Sequence, residues 1–503
     1  MKKKPIDHLK ERLVEISHLV SILNLLNWDR EVYMPKKGSD PRSVAIAHLS
    51  GIIHNKMIAL DQDGLLSGLK KQLDEKKLKG KDAVIVTETW RTFDRERKLP
   101  EDFVRKLAET ASMAQDVWAE AREKNDFKLF LPWLKKIVDL KKKEAELVGF
   151  SDSPYDALLD AYEPDLTSRE ASEVLNDLKD FLVPFLKKIR ASKEGLDPSK
   201  LKGKFPLDKQ IAFNEMLSKA IGFDFEAGRL DQSTHPFTTN FHPGDVRITT
   251  RYDDNDIIYS LGSTIHETGH ALYEQGLPIE HFGTPLSESV SLGIHESQSR
   301  LWENNIGRSK PFWRYLYPIL CKEFPEPFSK TPLDEFYKII NKVEPSLIRT
   351  QADEVTYNLH IIIRFEIEKE MIEGTIDLAD LPQIWRAKVK EYLGIEVPND
   401  KEGILQDVHW SAGLIGYFPT YSLGNLYAAQ LYATMKKKIP NLAGEIAVGK
   451  FKEINVWLRE NIHMHGKTFT ARDLIKRATG EYLNSRFFNN YLEEKYGEIY
   501  SMK

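Results

Sequence analysis

The segment His266-Glu267-Thr268-Gly269-His270 constrains the structure that this chain can form more than any other feature of the sequence. In an α-helix, residues four apart lie about 40° apart around the axis and one turn along it, so both imidazoles can reach one tetrahedral Zn²⁺. Glu267 then lies beside the ion, where its carboxylate can take a proton from a water on the metal. The spacing therefore predicts a helix that carries a catalytic zinc site. The alternative is a helix with two surface histidines.

Histidines concentrate around this segment. No histidine lies between His54 and His235, but the 61 residues from 235 to 295 contain six of the 14 in the chain. They are His235, His242, His266, His270, His281 and His295. Histidine is typical of places where metals are bound or protons are moved, so the cluster indicates a site. Of the six, His281 is the one we expect to lie outside the site, in a loop or at the end of a helix.

The composition narrows the class of protein. The formal net charge is −4 and 29% of the 503 residues are charged, without the clustered basic excess of a nucleic-acid binder. The one cysteine, Cys321, excludes an internal disulfide framework and is typical of a reducing compartment. The basic start at 1–8 leads into an amphipathic, charged segment, not into an apolar run of signal-peptide length. We therefore expect a cytoplasmic protein that binds no nucleic acid.

The stretch from Val408 to Met435 contains no Asp, Glu, Lys or Arg, and it is long enough to cross a bilayer. However, it also contains three glycines and several polar residues, among them His409, Asn425 and Gln430. Such polarity is unfavourable in a helix that faces lipid. We expect this stretch to form a buried wall of a globular protein with no membrane contact.

Most of the chain has the apolar periodicity of α-helices. An early stripe consists of Leu9, Leu13, Ile16, Val20 and Leu23. Similar patterns cover roughly 41–77, 83–97, 101–124, 128–148 and 168–190. We find no repeat, and no linker long enough to require a domain boundary. These patterns predict a mainly α-helical protein.

Strand signals concentrate just before the histidine helix. Residues 237–241 and 246–250 are rich in Thr and in aromatic or β-branched side chains, and they flank a Pro-Gly turn at 243–244. This pattern predicts a β-hairpin beside the metal site. Its edge could bind an extended peptide, or the hairpin could only support the helix.

A catalytic zinc site needs a third protein ligand and one open position. Glu274, Glu288, Glu296 or a distant residue could supply it. Glu274 follows His270 by one turn of the same helix, which places it too far along the axis. Residues 287–303 read as a second helix that contains both other candidates. The spacing alone does not separate Glu288 from Glu296.

Together these features resemble the Taq-type thermostable metallocarboxypeptidase family. Six motifs occur in the family's order between residues 235 and 410, and none departs from the family's pattern. They are His235-Pro236-Phe237, Asp245-Val246-Arg247-Ile248-Thr249, His266-Glu267-Thr268-Gly269-His270, His295-Glu296-Ser297-Gln298-Ser299, Ile348-Arg349-Thr350-Gln351-Ala352-Asp353 and Gly403-Ile404-Leu405-Gln406-Asp407-Val408-His409-Trp410. The early Asn27-Trp28-Asp29 and Met34-Pro35 also resemble the family's N-terminal region.

The resemblance implies one Zn²⁺ per chain, held by His266, His270 and Glu296, with Glu267 as general acid and base and with Co²⁺ able to substitute. It implies a large two-lobed, mainly α-helical zinc-peptidase fold around a deep groove, with a small hairpin or sheet next to the metal. It further implies a homodimer. We expect residues 1–503 to form a single catalytic domain with a helical cap region at roughly 1–100.

Peptide hydrolysis also needs a donor that faces the developing oxyanion. Residues 409–421 resemble the Gly- and Tyr-rich segment that other helical zinc peptidases place over the scissile bond. Tyr421 is the preferred candidate, Tyr417 is the second, and His409 is a further polar contact. The alternative is that these tyrosines only pack the wall of a groove.

An exopeptidase must recognise a free chain end, and a terminal carboxylate is best bound by the two-pronged guanidinium of an arginine. Arg349 is the first candidate, and its alternative role is an ion pair with Asp353 four residues on. Arg247 is the competitor, although it could be structural in the hairpin. His235 is a further candidate contact to the substrate. Asp245 and Asp353 could instead orient other side chains.

The expected function is that of a zinc-dependent carboxypeptidase that releases single residues, with broad specificity, from peptides with a free C-terminus. One alternative is a helical zinc oligopeptidase that cuts internally, and the Ile348–Asp353 and Gly403–Trp410 motifs favour the first reading over it. Another alternative is a helical scaffold with an inactive metal site. The presence of Glu267 argues against a scaffold, because metal binding alone does not require that base.

Overall fold

The computed structural model describes residues 3–192 and 194–502. The first half of the chain forms α1 (Pro5–Val32), α2 (Ser39–Ile58), α3 (Leu65–Asp74), α4 (Gly80–Arg97), α5 (Glu101–Lys124), α6 (Phe127–Val148), α7 (Pro154–Leu159), α8 (Ser168–Arg190) and α9 (Leu207–Ile221). Three strands follow, β1 (Gly228–Gln232), β2 (Thr238–His242) and β3 (Asp245–Thr250).

The second half of the chain returns to helices. They are α10 (Ile257–Gly276), α11 (Leu292–Arg300), α12 (Lys310–Glu323), α13 (Pro325–Phe328), α14 (Leu333–Ile340), α15 (Tyr357–Glu373), α16 (Leu381–Leu393), α17 (Pro419–Lys438), α18 (Leu442–Ala447), α19 (Lys452–Asn461), α20 (Ala471–Thr479) and α21 (Arg486–Ile499). A π-helical turn at Leu301–Ile306 extends α11. The expected mainly helical architecture with a small sheet is confirmed.

Apolar periodicity located most of the early helices to within a few residues. The exception is 41–77, where the structure has two helices, α2 and α3, because a 3₁₀ turn at Ala59–Asp61 and a bend at Gly64 interrupt the chain. The stripe in α1 is partly confirmed, since Leu9, Leu13 and Ile16 are buried. Helices α1, α3 and α4 share a small core of their own, which Leu286 from the body of the protein also enters.

Two larger cores make up the body. The first core is built mainly by α5 to α8, α15, α16 and α21, and the second mainly by α9 to α12, α14 and α18 to α20. Helix α17 contributes to both, with Leu426 and Ala429 in the first core and Leu423 and Tyr427 in the second. Its burial accounts for the uncharged stretch at 408–435, because a helix between two cores has almost no face left for charge.

The sheet has the strand order β1-β3-β2. Strands β2 and β3 are antiparallel and form the predicted hairpin, with Thr238 opposite Ile248. Strand β1 pairs with β3 in parallel and was not predicted, because its sequence Gly-Arg-Leu-Asp-Gln lacks the β-branched and aromatic residues that mark strands. Val246 and Ile248 of β3 pack with Ala271 of α10, so the sheet lies against the histidine helix.

Within the described residues, we find no helix that is both long enough and apolar enough to cross a membrane.

Candidate active site

Helix α10 carries the histidine pair, as the spacing predicts. The side chain of Asp256 caps its first turn by accepting from the backbone N–H of Tyr259 at 3.3 Å. His266 and His270 project from the same face, and their ring centroids are 4.9 Å apart. The helix buries most of its other side chains, so its two histidines are held on a rigid support.

Glu296 of α11 faces the two histidines. Its Oε2 atom lies 3.7 Å from Nε2 of His266 and 3.4 Å from Nε2 of His270. One donor atom from each of the three residues falls within 4.8 Å of the other two. A tetrahedral zinc with bonds of about 2.0–2.1 Å would have ligand atoms about 3.4 Å apart. The donor set and its spacing therefore fit one divalent metal ion.

Glu288 does not take part in this arrangement. The prediction of a helix from residue 287 is wrong at its start, because 285–287 form a 3₁₀ turn and Ser291 caps the first turn of α11. Glu288 thus precedes the helix, where it accepts a hydrogen bond from Lys467 at 2.6 Å. The turn and the cap at 285–291 therefore keep Glu288 outside α11, whereas Glu296 lies within it.

Glycine allows the helices at the site to approach closely. A Cβ at Gly269 of α10 would lie 2.6 Å from the carbonyl oxygen of Gln298 in α11. A Cβ at Gly424 of α17 would lie 2.4 Å from Cγ of Glu296. Both distances are shorter than any carbon contact tolerates, so the position of Glu296 depends on these two glycines.

Each histidine is held through its second ring nitrogen. Nδ1 of His266 contacts Oε2 of Glu303 at 2.8 Å. Nδ1 of His270 contacts Nδ1 of His295 at 2.5 Å, and Nε2 of His295 contacts Oε1 of Glu274 at 2.7 Å. Both Nε2 atoms therefore remain directed at Glu296. Sequence reasoning did not identify Glu303 or assign contacts to His295 and Glu274.

The charges at the site follow from these contacts. Burial, and after it the neighbouring His295, lowers the pKa of His270 to about 3, which favours the neutral ring. Burial alone would raise the pKa of Glu303, but Arg300 and His266 outweigh it and lower the pKa to about 2. A neutral imidazole and an ionised carboxylate are the forms that bind a metal and support its ligands.

Glu267 lies next to the histidines and is held from the sheet. Thr238 of β2 donates to its Oε2 atom at 2.6 Å and to its backbone oxygen at 3.1 Å. The residue is only 7% exposed. Burial raises the pKa of Glu267 above its usual value. Thr238, which anchors this carboxylate, was not singled out from the sequence.

Residues 409–421 lead into the first turn of α17, the helix that packs against Glu296. Tyr421 lies in the first turn of α17, with its ring centroid 5.4 Å from that of Tyr417 and its hydroxyl 3.5 Å from Nε2 of His409. Burial is the main cause that raises the pKa of both tyrosines. The charge of Glu296 raises both pKa values further. The two predicted hydroxyl donors therefore lie in the field of the same carboxylate that faces the histidines.

Arg349 is buried against this aromatic group. Its Nε and Nη2 atoms donate to Oδ1 of Asp407 at 3.1 and 3.0 Å, and Nη1 donates to the hydroxyl of Tyr357 at 3.0 Å. Its guanidinium carbon lies 5.1 Å from the ring centroid of Tyr421. The alternative ion pair with Asp353 is not formed, because Asp353 accepts instead from backbone N–H groups, including that of Thr356 at 3.0 Å.

Arg247 and His235 have different surroundings. Arg247 donates to Asp245 at 2.9 Å, and its guanidinium carbon lies 4.4 Å from the ring of Trp28 in α1. The same guanidinium carbon lies 4.8 Å from the ring centroid of Phe241, so the contacts of Arg247 are with the hairpin and with α1. His235 lies exposed in the loop between β1 and β2.

Comparison with known proteins identifies the family. The family model for carboxypeptidase Taq (M32) metallopeptidases matches residues 8–496. Carboxypeptidase 1 of Bacillus subtilis is 41% identical over 488 residues, which is 97% of each chain. Thermostable carboxypeptidase 1 of Thermus thermophilus is 42% identical over 499 residues, also 97% of each chain. The crystal structure of the M32 carboxypeptidase from Deinococcus radiodurans R1 superposes with a TM-score of 0.94 at 37% identity, covering 99% of this chain and 100% of that one. This chain therefore belongs to the carboxypeptidase Taq family and is a metallocarboxypeptidase.

Proposed function

We propose that this metallocarboxypeptidase uses Zn²⁺ held by His266, His270 and Glu296, and that it releases single residues, with broad specificity, from the C-terminus of peptides. The observation that carries the proposal is the convergence of these three side chains beside Glu267. Nitrogen and carboxylate donors at tetrahedral spacing suit zinc. The same donors accept Co²⁺, which is therefore expected to substitute.

Glu267 acts as the general base and then as the general acid. When bound, a zinc ion would polarise the scissile carbonyl and acidify the attacking water. Thr238 occupies Oε2 of Glu267, which leaves Oε1 to accept the proton of that water. Glu267 then transfers the proton to the leaving amine. Its raised pKa suits both steps, because a group with a pKa nearer to neutral can both accept and release a proton.

Tyr421 stabilises the developing oxyanion, with Tyr417 as the second candidate and His409 as a further polar contact. Their positions support these roles, because Tyr421 lies one turn before Gly424, which packs against Glu296, and its hydroxyl is 3.5 Å from Nε2 of His409. Burial removes competing water, so a hydroxyl donor is worth more here than in solvent.

Arg349 binds the terminal carboxylate of the peptide. Three of its five N–H groups are engaged by Asp407 and Tyr357, and two remain for a substrate. The engaged groups hold the guanidinium in one orientation, which reduces the entropy cost of binding. Arg247 remains the competing candidate, and His235 remains a candidate contact from its exposed loop.

A peptide set with free and amidated C-termini tests the proposed direction of attack. Each peptide is incubated with the zinc-loaded enzyme, and the products are followed over time by mass spectrometry. Successive loss of single C-terminal residues from the free peptides, with little cleavage of the amidated ones, is the expected result. Efficient internal cleavage of amidated peptides would contradict it and would favour an oligopeptidase.

The protein is further proposed to be a cytoplasmic homodimer in which the whole chain forms one catalytic domain and the first hundred residues form its cap. The separate small core of α1, α3 and α4 supports the cap. The single cysteine, Cys321, supports a reducing compartment.

Helix α2 supports the dimer, because none of its side chains is buried and Val44 and Ile52 are 70% and 37% exposed. A second copy of the chain would cover this apolar face.

A further inference from the structure

The two histidines of the site differ in how their second ring nitrogens are supported. His266 contacts a carboxylate directly, and that carboxylate, Glu303, is also bound by Arg300 at 3.2 Å. His270 contacts another histidine first, and the carboxylate of Glu274 comes one step later. This second arrangement has one more hydrogen bond between the ring and the carboxylate than the arrangement at His266. The additional residue is His295, the first residue of the His295–Ser299 motif.

With both imidazoles neutral, the contacts allow one arrangement of protons along this chain of hydrogen bonds. Glu274 is a carboxylate and can only accept, so Nε2 of His295 carries a proton and donates it. A neutral His295 then has a lone pair on Nδ1, which accepts from Nδ1–H of His270 at 2.5 Å. His270 is thereby held in the tautomer whose Nε2 lone pair faces Glu296. That tautomer is the one that can bind a metal.

The contacts continue to the sheet. Asn240 of β2 donates through Nδ2 to Oε2 of Glu274, so both oxygens of this buried carboxylate are occupied. Asn240 is two residues from Thr238, which holds Glu267. Asn24 of α1 donates to the backbone oxygen of Asn240 at 3.0 Å. One strand, fixed from the N-terminal helices, therefore orients both the base and one of the histidines.

We propose that His295 and Glu274 are positioning residues that hold His270 in its metal-binding tautomer and orientation. The proposal rests on the proposed function in one respect, since it takes His270 as a metal ligand. Without His295, the Nδ1–H of His270 loses its buried acceptor, and the ring is free to rotate or to move its proton to Nε2. Either change removes a donor from the metal.

The test is the dissociation constant for Zn²⁺, measured by competition with a chromophoric chelator on metal-depleted protein. His295→Ala is expected to raise this constant about 10- to 100-fold, the range typical of groups that support metal ligands. Glu274→Gln is expected to raise it less, because the amide oxygen can still accept from His295. The double variant should bind zinc about as well as His295→Ala alone, since both changes break one chain of contacts.

His463 supplies a matched control. It is a buried histidine, whereas His295 is partly buried, and it contacts α11 through Gln298 at 2.9 Å, with its ring 5.1 Å from that of Tyr273. His463→Ala should therefore destabilise the metal-free protein about as much as His295→Ala while leaving the zinc dissociation constant unchanged. The melting temperature of each metal-free variant separates loss of packing from loss of positioning.

The outcomes separate the two proposals. If His270→Ala still binds zinc at full stoichiometry, the proposed metal site is wrong and the positioning role fails with it. If His270→Ala loses zinc but folded His295→Ala binds it within twofold of the wild type, only the positioning role is overturned. If His295→Ala does not fold, Glu274→Gln decides, with weaker binding supporting the role and unchanged binding overturning it.

Discussion

At the scale of single residues, the chemistry of this site depends on how each charge is held. Glu267 has one oxygen occupied by Thr238 and the other available, and Arg349 has part of its guanidinium occupied by Asp407 and Tyr357. In both cases a neighbouring side chain orients the group and leaves the atoms to which the proposed mechanism assigns water or substrate. Substitutions at these residues should therefore change rates more than they change the fold.

Glu267→Gln should leave zinc bound and lower kcat by at least about a hundredfold, because the amide cannot accept a proton from the attacking water. The measurement is kcat together with metal content on the same preparation. Turnover near that of the wild type in a variant with full metal content would show that Glu267 is not the base.

Metal content should also distinguish Glu296 from Glu288. Glu296→Ala should lose zinc, since Oε2 of Glu296 lies within 3.7 Å of Nε2 in both histidines. Glu288→Ala should keep zinc, since Glu288 contacts Lys467 instead. Elemental analysis of the two dialysed variants measures this directly, and the reverse pattern would contradict the proposed ligand set.

Arg349 can be tested by a cycle that combines its substitution with amidation of the substrate. Loss of one partner of a buried charge pair costs about 2–5 kcal/mol, so each change alone should lower kcat/KM about 30- to 5000-fold. Arg349→Ala should lose little more on amidated peptides, because both changes remove the same interaction. Arg247→Ala, assayed in parallel, is the control. If the losses from Arg349→Ala and from amidation were additive, Arg349 would have only a structural role with Asp407. Arg247 would then be favoured as the residue that binds the terminal carboxylate.

At the scale of elements, the site depends on the contact of α10, α11 and α17. The histidine helix could be predicted because its signal is local, but the start of α11 could not be, since a 3₁₀ turn and the Ser291 cap replace the expected first turn. Strand β1 was missed for a related reason. Its polar sequence forms a strand only because β3 is available to pair with it.

Gly424→Ala should weaken zinc binding by displacing Glu296, because the new methyl group would lie 2.4 Å from Cγ of that residue. Overpacking of this kind costs about 1–3 kcal/mol, so the melting temperature should also fall. Gly262→Ala in α10 is the matched control. A Cβ there meets nothing within 4 Å, and the substitution should be neutral or slightly stabilising. Equal zinc affinity in the two variants would contradict the role of the close contact.

At the scale of the whole molecule, the body has two large cores that meet at α17, and the N-terminal helices form a third, smaller one. The body buries most of its apolar residues in these cores, with exceptions such as Met113 and Val448. Helix α2 does not, since it has no buried side chain within the described residues. A helix that exposes several apolar side chains together, as α2 does with Val44, Ile52 and Ile58, is typical of an interface.

Light scattering at micromolar concentration should therefore give the mass of a dimer. Ile52→Glu on α2 should shift the mass to that of a monomer, because a second copy could no longer bury this face without burying a charge. Met113→Glu on α5 is the control, since Met113 is 52% exposed but lies outside the proposed interface. A monomer mass for the wild type would refute the dimer, and dissociation by both variants would refute the assignment to α2.

By itself, the sequence determined the histidine pair on one helical face, the mainly helical class and the family, because these depend on local periodicity and on the order of short motifs. The motif resemblance already favoured Glu296 over Glu288, but only the tertiary structure decided that Arg349 pairs with Asp407 and not with Asp353, and that Glu274 reaches His270 through His295. The physical reason is that backbone geometry fixes contacts within a helix, whereas contacts between helices depend on how closely distant segments pack.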